Sequence, residues 1–448
     1  MRRKSRLQVI NILSDPFQRF FRTESSGGII LIIATAIALF WANSRWSGLY
    51  QNIINYKLTF QLGELFIISK SLLLWVNDGL MSIFFFVVGL EIKREILAGE
   101  LSEIKQASLP IVAALGGMIV PACIFISLNY GKPGMEGWGI PMATDIAFSL
   151  GILSLLGKRV PLNLKVFLTA FAIVDDIGAV IVIALFYTSE ISWTLLLAGS
   201  GLLIILVIAN LAGVRNIPFY ILTGFVIWYL FLKSGIHPTI AGVLLAFTIP
   251  ANRKIRIPFF LKSLNKNLDE FCTTDCEDEL LLNRKQLTAI DNIEYYIEKV
   301  QSPLQRLEHS LHGFVTWFVI PVFAFANAGI IFGGGVEMSG IDSLTIDIAV
   351  SLIVGKLIGV FGFTYLFVKL GFSKLPVNLR WAHYLGIGFL GGVGFTMSIF
   401  ISTLAFSDMI LLNHAKMGIL FGSLLSGIFG YIILRLSLKA EDQSLADK

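Results

Sequence analysis

Long apolar runs alternate with short polar segments along most of the chain. An α-helix of about 20 residues crosses a bilayer, so a run of this length predicts a transmembrane helix. We predict an all-α polytopic membrane protein with about twelve such helices. In chain order, the predicted spans are residues 27–41, 72–90, 109–128, 140–156, 167–187, 195–211, 219–232, 237–249, 313–332, 346–370, 384–406 and 415–436.

The polar segments at the two ends and in one long loop set the predicted domain boundaries. Residues 1–26 form a cytoplasmic N-terminal segment, 27–436 the transmembrane domain and 437–448 a cytoplasmic tail. The opening MRRKSR is not followed by the short apolar core and small-residue cleavage site of a signal peptide. The loop at about 252–308 contains a stretch with the pattern of an amphipathic helix, whose alternative is a solvated connector.

Basic residues are concentrated in alternate loops, which predicts the orientation. Positive charge marks the cytoplasmic side of a membrane protein, so both termini are expected in the cytoplasm. The basic residues of the loops placed inside are Lys93, Arg94, Lys105, Lys158, Arg159, Lys165, Arg215, Arg253, Lys254, Arg256, Lys262, Lys369, Lys374, Arg380, Arg435 and Lys439.

Composition excludes a soluble fold. Hydrophobic residues make up 55% of the 448 and charged residues 15%, and the mean hydropathy is +0.77. The net charge of +5 is spread over short loops rather than one patch, so we expect no nucleic-acid partner. Cys123, Cys272 and Cys276 give no disulfide framework, and the last two lack the matching His or Cys of a metal site. We expect no cofactor.

Two adjacent carboxylates, Asp175 and Asp176, are the only charges in the span 167–187. An acid at membrane depth is costly and therefore predicts a function, although a pair of protonated acids joining two helices is an alternative. Successive residues of a helix point about 100° apart. One acid can therefore face an ion path and the other a partner. We assign Asp176 to the path and Asp175 to Lys356, an amine too far from either end of its span to reach the interface easily.

Two spans are interrupted in a related way. GIPMATDIAF places Gly139 and Pro141 before Thr144 and Asp145, and GIGFLGGVGFTMSIF leads through five glycines to Thr396. Paired broken segments in the two halves of a chain indicate an inverted-repeat transporter, whereas each alone is also compatible with a kink or a glycine-rich packing face. At such a crossing, two facing helix N-termini carry partial positive charge, which favours an acid such as Asp145. Two facing C-termini carry partial negative charge, which favours a cation such as Lys356.

Seven motifs in order resemble the bacterial NhaA-type sodium/proton antiporters. They are GLEIKRE, ATDIAF, VDDIGA, SPLQRLEHSLH, IPVFAFANAGI, GKLIG and GVGFTMSIFI, and the resemblance covers about residues 25–436. The family is itself a standard example of inverted repeats, so the resemblance and the broken spans are not independent. One departure is Gly313, where many relatives have proline.

The resemblance implies electrogenic, pH-regulated exchange of cytoplasmic Na⁺ or Li⁺ for external H⁺ in a bacterial inner membrane. Asp175 and Asp176 correspond to the ion- and proton-binding pair, Thr144 and Asp145 to the crossing, and Lys356 to the charged partner. Oxygen donors suit a hard cation, so the expected Na⁺ ligands are Asp176, Asp175 and Thr144. Burial and a neighbouring carboxylate both favour the neutral form of an acid, which lets protons compete with the cation. No covalent chemistry is needed, so no enzyme is expected.

The resemblance also implies roles in regulation and assembly for further residues. Asp78 corresponds to the cytoplasmic entrance, and His237 is either a pH-linked residue or an ordinary helix start. Residues 46–62 match the contact region of a homodimer. The expected pH-response region is Glu91, Arg94, Glu95, Glu308, His309 and His312. The helical spacing of these residues is also compatible with ordinary surface ion pairs.

Other functional classes share part of this pattern. An ion channel has a polar midplane but needs a continuous pore, and an intramembrane aspartyl protease uses two acids on separate, opposing spans. A sodium-coupled inverted-repeat transporter of another solute is the nearest alternative.

Overall fold

The computed structural model describes residues 27–62, 66–188, 191–272, 282–330, 343–376 and 379–446. Short 3₁₀ helices occupy Met135–Met142 and Gly157–Arg159, and two strands, β1 (Lys57–Leu62) and β2 (Phe66–Ser71), form an antiparallel hairpin. The helices of this part of the chain, α1 to α16 in order, are Gly27–Ala42, Ser47–Ile54, Leu72–Ala98, Ile104–Asn129, Ile146–Leu155, Leu162–Phe186, Trp193–Leu211, Ile217–Ser234, Pro238–Thr248, Ile257–Cys272, Arg284–Val300, Pro303–Asn327, Ser343–Lys369, Trp381–Gly391, Phe395–Ala405 and Met409–Ala446.

The helices confirm a multi-pass membrane protein. Within the described ranges, nine stretches are long and apolar enough to cross a membrane. Helix α1, the pair formed by Met135–Met142 and α5, and the short α9 coincide with the remaining three predicted spans. The two predicted interruptions are present, since α5 follows its 3₁₀ helix after a break at residues 143–145 and α15 follows α14 after a break at residues 392–394.

Three local predictions change. The polar stretch before the second span holds α2 and the β-hairpin, in which Phe60 pairs with Ile68, so the fold is not purely helical. Helix α12 begins at Pro303 rather than Gly313, because Ser302 forms a capping box with Gln305. In the long loop, the stretch with the amphipathic pattern contains the helix α11, and α10 is an additional helix packed against it.

Burial places the two broken spans at the centre of the bundle. Of the stretch containing α14 and α15, 89% is buried inside the protein, compared with 11% of α7. Long apolar side chains of α7 such as Leu197 and Ile204 are exposed, as expected for a helix at the lipid-facing edge. The central position surrounds the freed backbone groups of the breaks with protein, which is where a membrane tolerates them.

Glycine permits a close crossing of α4 and α13. A Cβ atom on Gly359 would lie 2.1 Å from the carbonyl oxygen of Gly116, and one on Gly116 would lie 2.3 Å from that of Gly359. Any side chain at this crossing must therefore push the two backbones apart. Because α13 carries Lys356, this contact fixes the depth at which its amine enters the bundle.

We predict that Gly359→Ala destabilises the protein by about 2 kcal/mol through overpacking. Gly362→Ala, three residues along the same helix, is the control, because its Cβ would meet no atom within 4 Å. Thermal unfolding of the detergent-solubilised protein measures the difference. Equal melting temperatures for the two variants would contradict the close crossing.

Candidate functional site

The two broken spans cross at their breaks and are held together by hydrogen bonds. The backbone N–H of Asp145 donates to the carbonyl oxygen of Val393 at 2.7 Å. The hydroxyl of Ser149 donates to Leu390 O at 2.9 Å, and that of Ser398 donates to Ile140 O at 2.7 Å. In both cases a serine near the start of one half-helix meets a carbonyl near the end of the opposite segment. This reciprocal pattern confirms the predicted crossing.

Asp145 joins the N-termini of the two half-helices. Its Oδ1 accepts from the backbone N–H of Phe148 at 3.0 Å, which caps α5. Its Oδ2 accepts from the backbone N–H of Thr396 at 3.0 Å and from the Thr396 hydroxyl at 2.6 Å, both in the first turn of α15. A carboxylate is favourable here because helix N-termini carry partial positive charge. The expected role of Asp145 in neutralising the crossing agrees with these contacts.

Lys356 lies on the other side of the crossing and pairs with Asp175. Its Nζ donates to Asp175 Oδ2 at 2.8 Å and Oδ1 at 3.0 Å, and to the Thr144 hydroxyl at 2.9 Å. That hydroxyl donates in turn to Gly391 O, 2.8 Å away at the C-terminus of α14. The side chains of both ion-pair members are fully buried. The predicted pairing is therefore present, and a buried charge requires such a partner.

Asp176 faces away from this ion pair into a small cavity. The residue is 1% exposed, and Oδ1 has no hydrogen-bond partner among the described residues. The cavity measures about 40 Å³ and is also lined by Thr144, Asp145 and Thr396. A cavity needs only about 10–15 Å³ to hold one water, so the space has room for water or a small ion. Carboxylate and hydroxyl oxygens on its wall are donors for a hard cation.

The cavity changes the predicted ligand set in two ways. Asp176 and Thr144 line it as expected, but Asp175 does not, because both of its oxygens accept from Lys356. Thr396 lines it and was not predicted as a ligand. Its position directly after the second, glycine-rich break was the available signal, since the first break itself holds the polar pair Thr144 and Asp145.

Most of the predicted pH-response residues meet at one end of the cavity. Glu91 and His312 line it, with His312 Nδ1 at 3.4 Å from Glu91 Oε1. Arg94 pairs with Glu308 at 2.9 Å and with Glu95 at 2.7 Å. These contacts join α3 to α12. We call Glu91, Arg94, Glu95, Glu308 and His312 the inner cluster.

His309 does not belong to the inner cluster, which corrects the prediction. Its side chain is exposed, and among the described residues no ion pair involves it. The reason is helical geometry. Adjacent residues point about 100° apart, so with Glu308 turned toward Arg94, His309 points away from α3. His312 lies one turn beyond Glu308 and shares its face.

Asp78 lies at the opposite end of α3, so its assignment to the cytoplasmic entrance together with the inner cluster is wrong. About 20 Å of helix separates it from Glu91. Asp78 pairs with Lys70 of β2 at 2.5 Å, and its Oδ1 lies 3.7 Å from His237 Nε2. We call Lys70, Asp78 and His237 the outer cluster. The sequence placed Asp78 and Glu91 on one span, but their distance along it puts them near different faces of the bundle.

Comparison with known proteins identifies the family. The model of the Na+/H+ antiporter 1 family matches residues 18–434. The chain belongs to this family. Curated relatives, each named Na(+)/H(+) antiporter NhaA, include proteins of Oleidesulfovibrio alaskensis, Christiangramia forsetii and Phocaeicola vulgatus. In that order, they are 49%, 48% and 47% identical to this chain. The aligned residues make up 98%, 96% and 97% of this chain and 98%, 96% and 98% of the relatives.

Family membership agrees with the resemblance read from the motifs and with the helical fold. The crossing, the Asp175–Lys356 pair and the Asp176 cavity all lie within the matched residues. The family therefore accounts for the chain as a whole rather than for one motif.

We predict that Thr396→Val destabilises the protein by about 2 kcal/mol, because Asp145 loses a buried hydrogen bond. Thr403→Val is the matched control on the same helix, since its hydroxyl donates only to Phe400 O of its own helix, at 2.7 Å. Its expected effect is below about 0.5 kcal/mol. Thermal unfolding in detergent compares them, and an equal loss in both variants would contradict the bridging role of Asp145.

Proposed function

We propose that the protein exchanges Na⁺ for H⁺ across a bacterial inner membrane. The observation that carries the proposal is the Asp176 carboxylate, buried at a cavity of ion size with one oxygen unpartnered among the described residues. A buried carboxylate needs either a proton or a cation. Relatives of nearly full coverage named as Na(+)/H(+) antiporters support the choice of these two ions.

Exchange follows from competition at Asp176. When the carboxyl is protonated, it is neutral and does not attract a cation. When the proton leaves, the carboxylate binds Na⁺ together with oxygens of Thr144, Asp145 or Thr396. Suppose that the site can change the side of the membrane to which it opens only while it holds H⁺ or Na⁺. Each Na⁺ that moves one way then requires H⁺ to move the opposite way. The crossing is the proposed moving part because both spans are interrupted there.

Lys356 supplies a second response to the cation. In the structure its ammonium holds Asp175, so only Asp176 faces the cavity. A cation beside Asp176 repels the ammonium, which then releases its own proton or its hold on Asp175. Asp175 thereby becomes available as a ligand. If Lys356 releases its proton, Asp176 and Lys356 together lose two protons for one Na⁺, and the exchange is electrogenic.

The inner cluster marks the cytoplasmic side in this proposal. It includes Arg94 and is close in sequence to Lys93 and Lys105, which the positive-inside rule places in the cytoplasm, and both termini are then cytoplasmic. Na⁺ enters past Glu91 and His312. Li⁺ has the same chemistry and is a second cargo. No cofactor or covalent step is needed, so the protein is a transporter and not an enzyme.

A second copy of the chain completes the proposed assembly. The β-hairpin, with exposed Phe60 and Ile67, projects from the bundle at the end of the outer cluster and is the proposed homodimer contact within the lipid bilayer. The names of the relatives of nearly full coverage, each a Na(+)/H(+) antiporter, favour this exchange over the alternative of a sodium-coupled transporter for another solute.

We predict that Asp176→Asn abolishes exchange, because the amide neither releases a proton nor offers a charge to the cation. Dequenching of a pH-sensitive dye after NaCl or LiCl addition to inside-out vesicles is the measurement. Asp347→Asn is the control, since Asp347 is also buried in the bundle but pairs with Lys132 away from the cavity. Retained exchange in Asp176→Asn, or equal loss in both, would refute the assignment.

We predict that His312→Gln shifts half-maximal activity to lower pH by about 0.5 unit or more. A protonated imidazole attracts Glu91 and holds α12 to α3, and this attraction is lost as the pH rises and the ring becomes neutral. Glutamine lacks the charge at every pH. The pH profile of dequenching tests this, with the exposed His309→Gln as control. A profile unchanged in His312→Gln would remove this residue from the pH response.

A further inference from the structure

Helices α10 and α11 form a helical hairpin that no step of the proposed exchange uses. They connect α9 to α12 and are not among the stretches that can cross a membrane. The backbone N–H of Leu304 donates to Pro250 O at 3.1 Å, and that of Lys254 donates to Lys299 O at 3.2 Å. These two hydrogen bonds tie the beginning of the helical hairpin to its end. The base of the helical hairpin is therefore fixed where α9 ends and α12 begins.

This base lies on the side of the inner cluster. Lys93, the neighbour of Arg94 in α3, donates from Nζ to Phe247 O at 2.7 Å and to Ile249 O at 2.5 Å, where α9 ends. Both α9 and α12 coincide with predicted spans. The helical hairpin therefore leaves the bundle beside the ends of two spans, which is where a bilayer has its headgroup layer.

Helix α10 has two apolar faces. One face includes Phe260 and Leu264, which are half-buried, as expected for the side packed against α11. The second is a stripe formed by Ile257, Leu261 and Leu268, whose spacing places them on one side of the helix. These three side chains are 48%, 50% and 43% exposed. A helix outside the spans thus presents a row of large apolar side chains outward.

Charge is distributed unevenly along the helical hairpin. Residues 251–268 contain five basic residues and no acid, whereas residues 269–279 contain six acids and no basic residue. The basic residues are Arg253, Lys254, Arg256, Lys262 and Lys266. The positive charge is therefore next to the base, and the negative charge follows further along the chain. A leaflet with anionic phospholipids attracts the basic part and repels the acidic part.

We propose that α10 docks on the surface of the bilayer on the side of the inner cluster. The stripe of Ile257, Leu261 and Leu268 inserts between the headgroups of anionic phospholipids, and Arg253 and Arg256 contact their phosphates. An amphipathic helix binds such a surface through its buried apolar area together with electrostatic attraction. Because α12 follows α11 after a short linker, docking also positions the end of α12 that carries part of the inner cluster.

Quenching by labelled lipid tests the docking without requiring transport. Leu261→Cys carries a fluorophore in a background with Cys123, Cys272 and Cys276 replaced by serine. The protein is reconstituted into vesicles of phosphatidylglycerol and phosphatidylcholine that include a lipid with a nitroxide on its acyl chain. The matched reporter is Lys266→Cys, which is also exposed and lies about 140° away around the same helix. We expect about threefold stronger quenching of the Leu261→Cys label. Equal quenching of the two labels would overturn the docking.

A change of charge tests the class of lipid. The double variant Arg253→Gln and Arg256→Gln removes two charges at the base, and quenching of the Leu261→Cys label should fall by about twofold. The control is Arg284→Gln with Lys285→Gln, which removes the same charge about 24 Å along α11 from the base and should leave quenching unchanged. Vesicles of phosphatidylcholine alone should also give weaker quenching. Quenching that is independent of phosphatidylglycerol, or that falls equally in both double variants, would overturn the recognition of anionic lipid.

A second copy of the chain is the other occupant that the experiment detects. Suppose that the Leu261→Cys label is shielded from aqueous iodide, is not quenched by nitroxide lipid, and loses its shielding when the protein is diluted in lipid. A second copy then covers the stripe, and the docking on lipid is wrong. Leu268→Cys is the reporter on the same stripe if Leu261→Cys does not fold.

The docking and the proposed function fail separately. If the unaltered protein shows no Na⁺/H⁺ exchange while nitroxide lipid quenches the Leu261→Cys label as expected, the proposed function fails and the docking stands. If exchange is normal and the label is not quenched by the lipid, the docking fails and the function stands.

Discussion

The ion pair between Lys356 and Asp175 in the middle of the bundle is the interaction on which the site depends. A lone ammonium or carboxylate at this depth costs several kcal/mol, so neither is stable there without the other. The pair also fixes two neighbours. Thr144 accepts from the ammonium and donates to the end of α14, which ties Lys356 to the crossing. With Asp175 held in this way, helical geometry turns Asp176 toward the cavity.

Charge balance at the crossing then leaves one acid uncompensated. Three buried carboxyls, those of Asp145, Asp175 and Asp176, surround the breaks. Asp175 is balanced by Lys356, and Asp145 accepts hydrogen bonds from two helix N-termini that each carry about half a positive charge. Asp176 has no such partner among the described residues. It must hold either a proton or a cation, and this requirement is the physical basis of the proposed exchange.

The sequence predicted the parts of this site that depend on burial and helical period. A charge within a long apolar run has to be buried, so Asp175, Asp176 and Lys356 could be named, and the 100° step between neighbours predicted that the two acids face different partners. Glycine and proline in two spans predicted the crossing. The β-hairpin was missed because hydropathy alone was followed through residues 43–63, although the alternation in KLTFQL was a signal.

The contacts between distant segments could not be predicted from the sequence. Thr396 reaches Asp145 across the crossing, and only the fold shows this. Asp78 and Glu91 share one span, yet the distance between them places one in the outer cluster and the other beside the cavity. His309 and His312 were both assigned to the pH-response region by the resemblance, whereas a helix places them on different faces.

The affinity of the purified protein for Na⁺ as a function of pH tests the account most directly. If one proton must leave Asp176 for each Na⁺ that binds, the apparent dissociation constant should rise about tenfold for each unit by which the pH falls through the acidic part of the range. A second competing proton makes the dependence steeper. An affinity that stays constant over two or more pH units would show that protons and Na⁺ do not share the site.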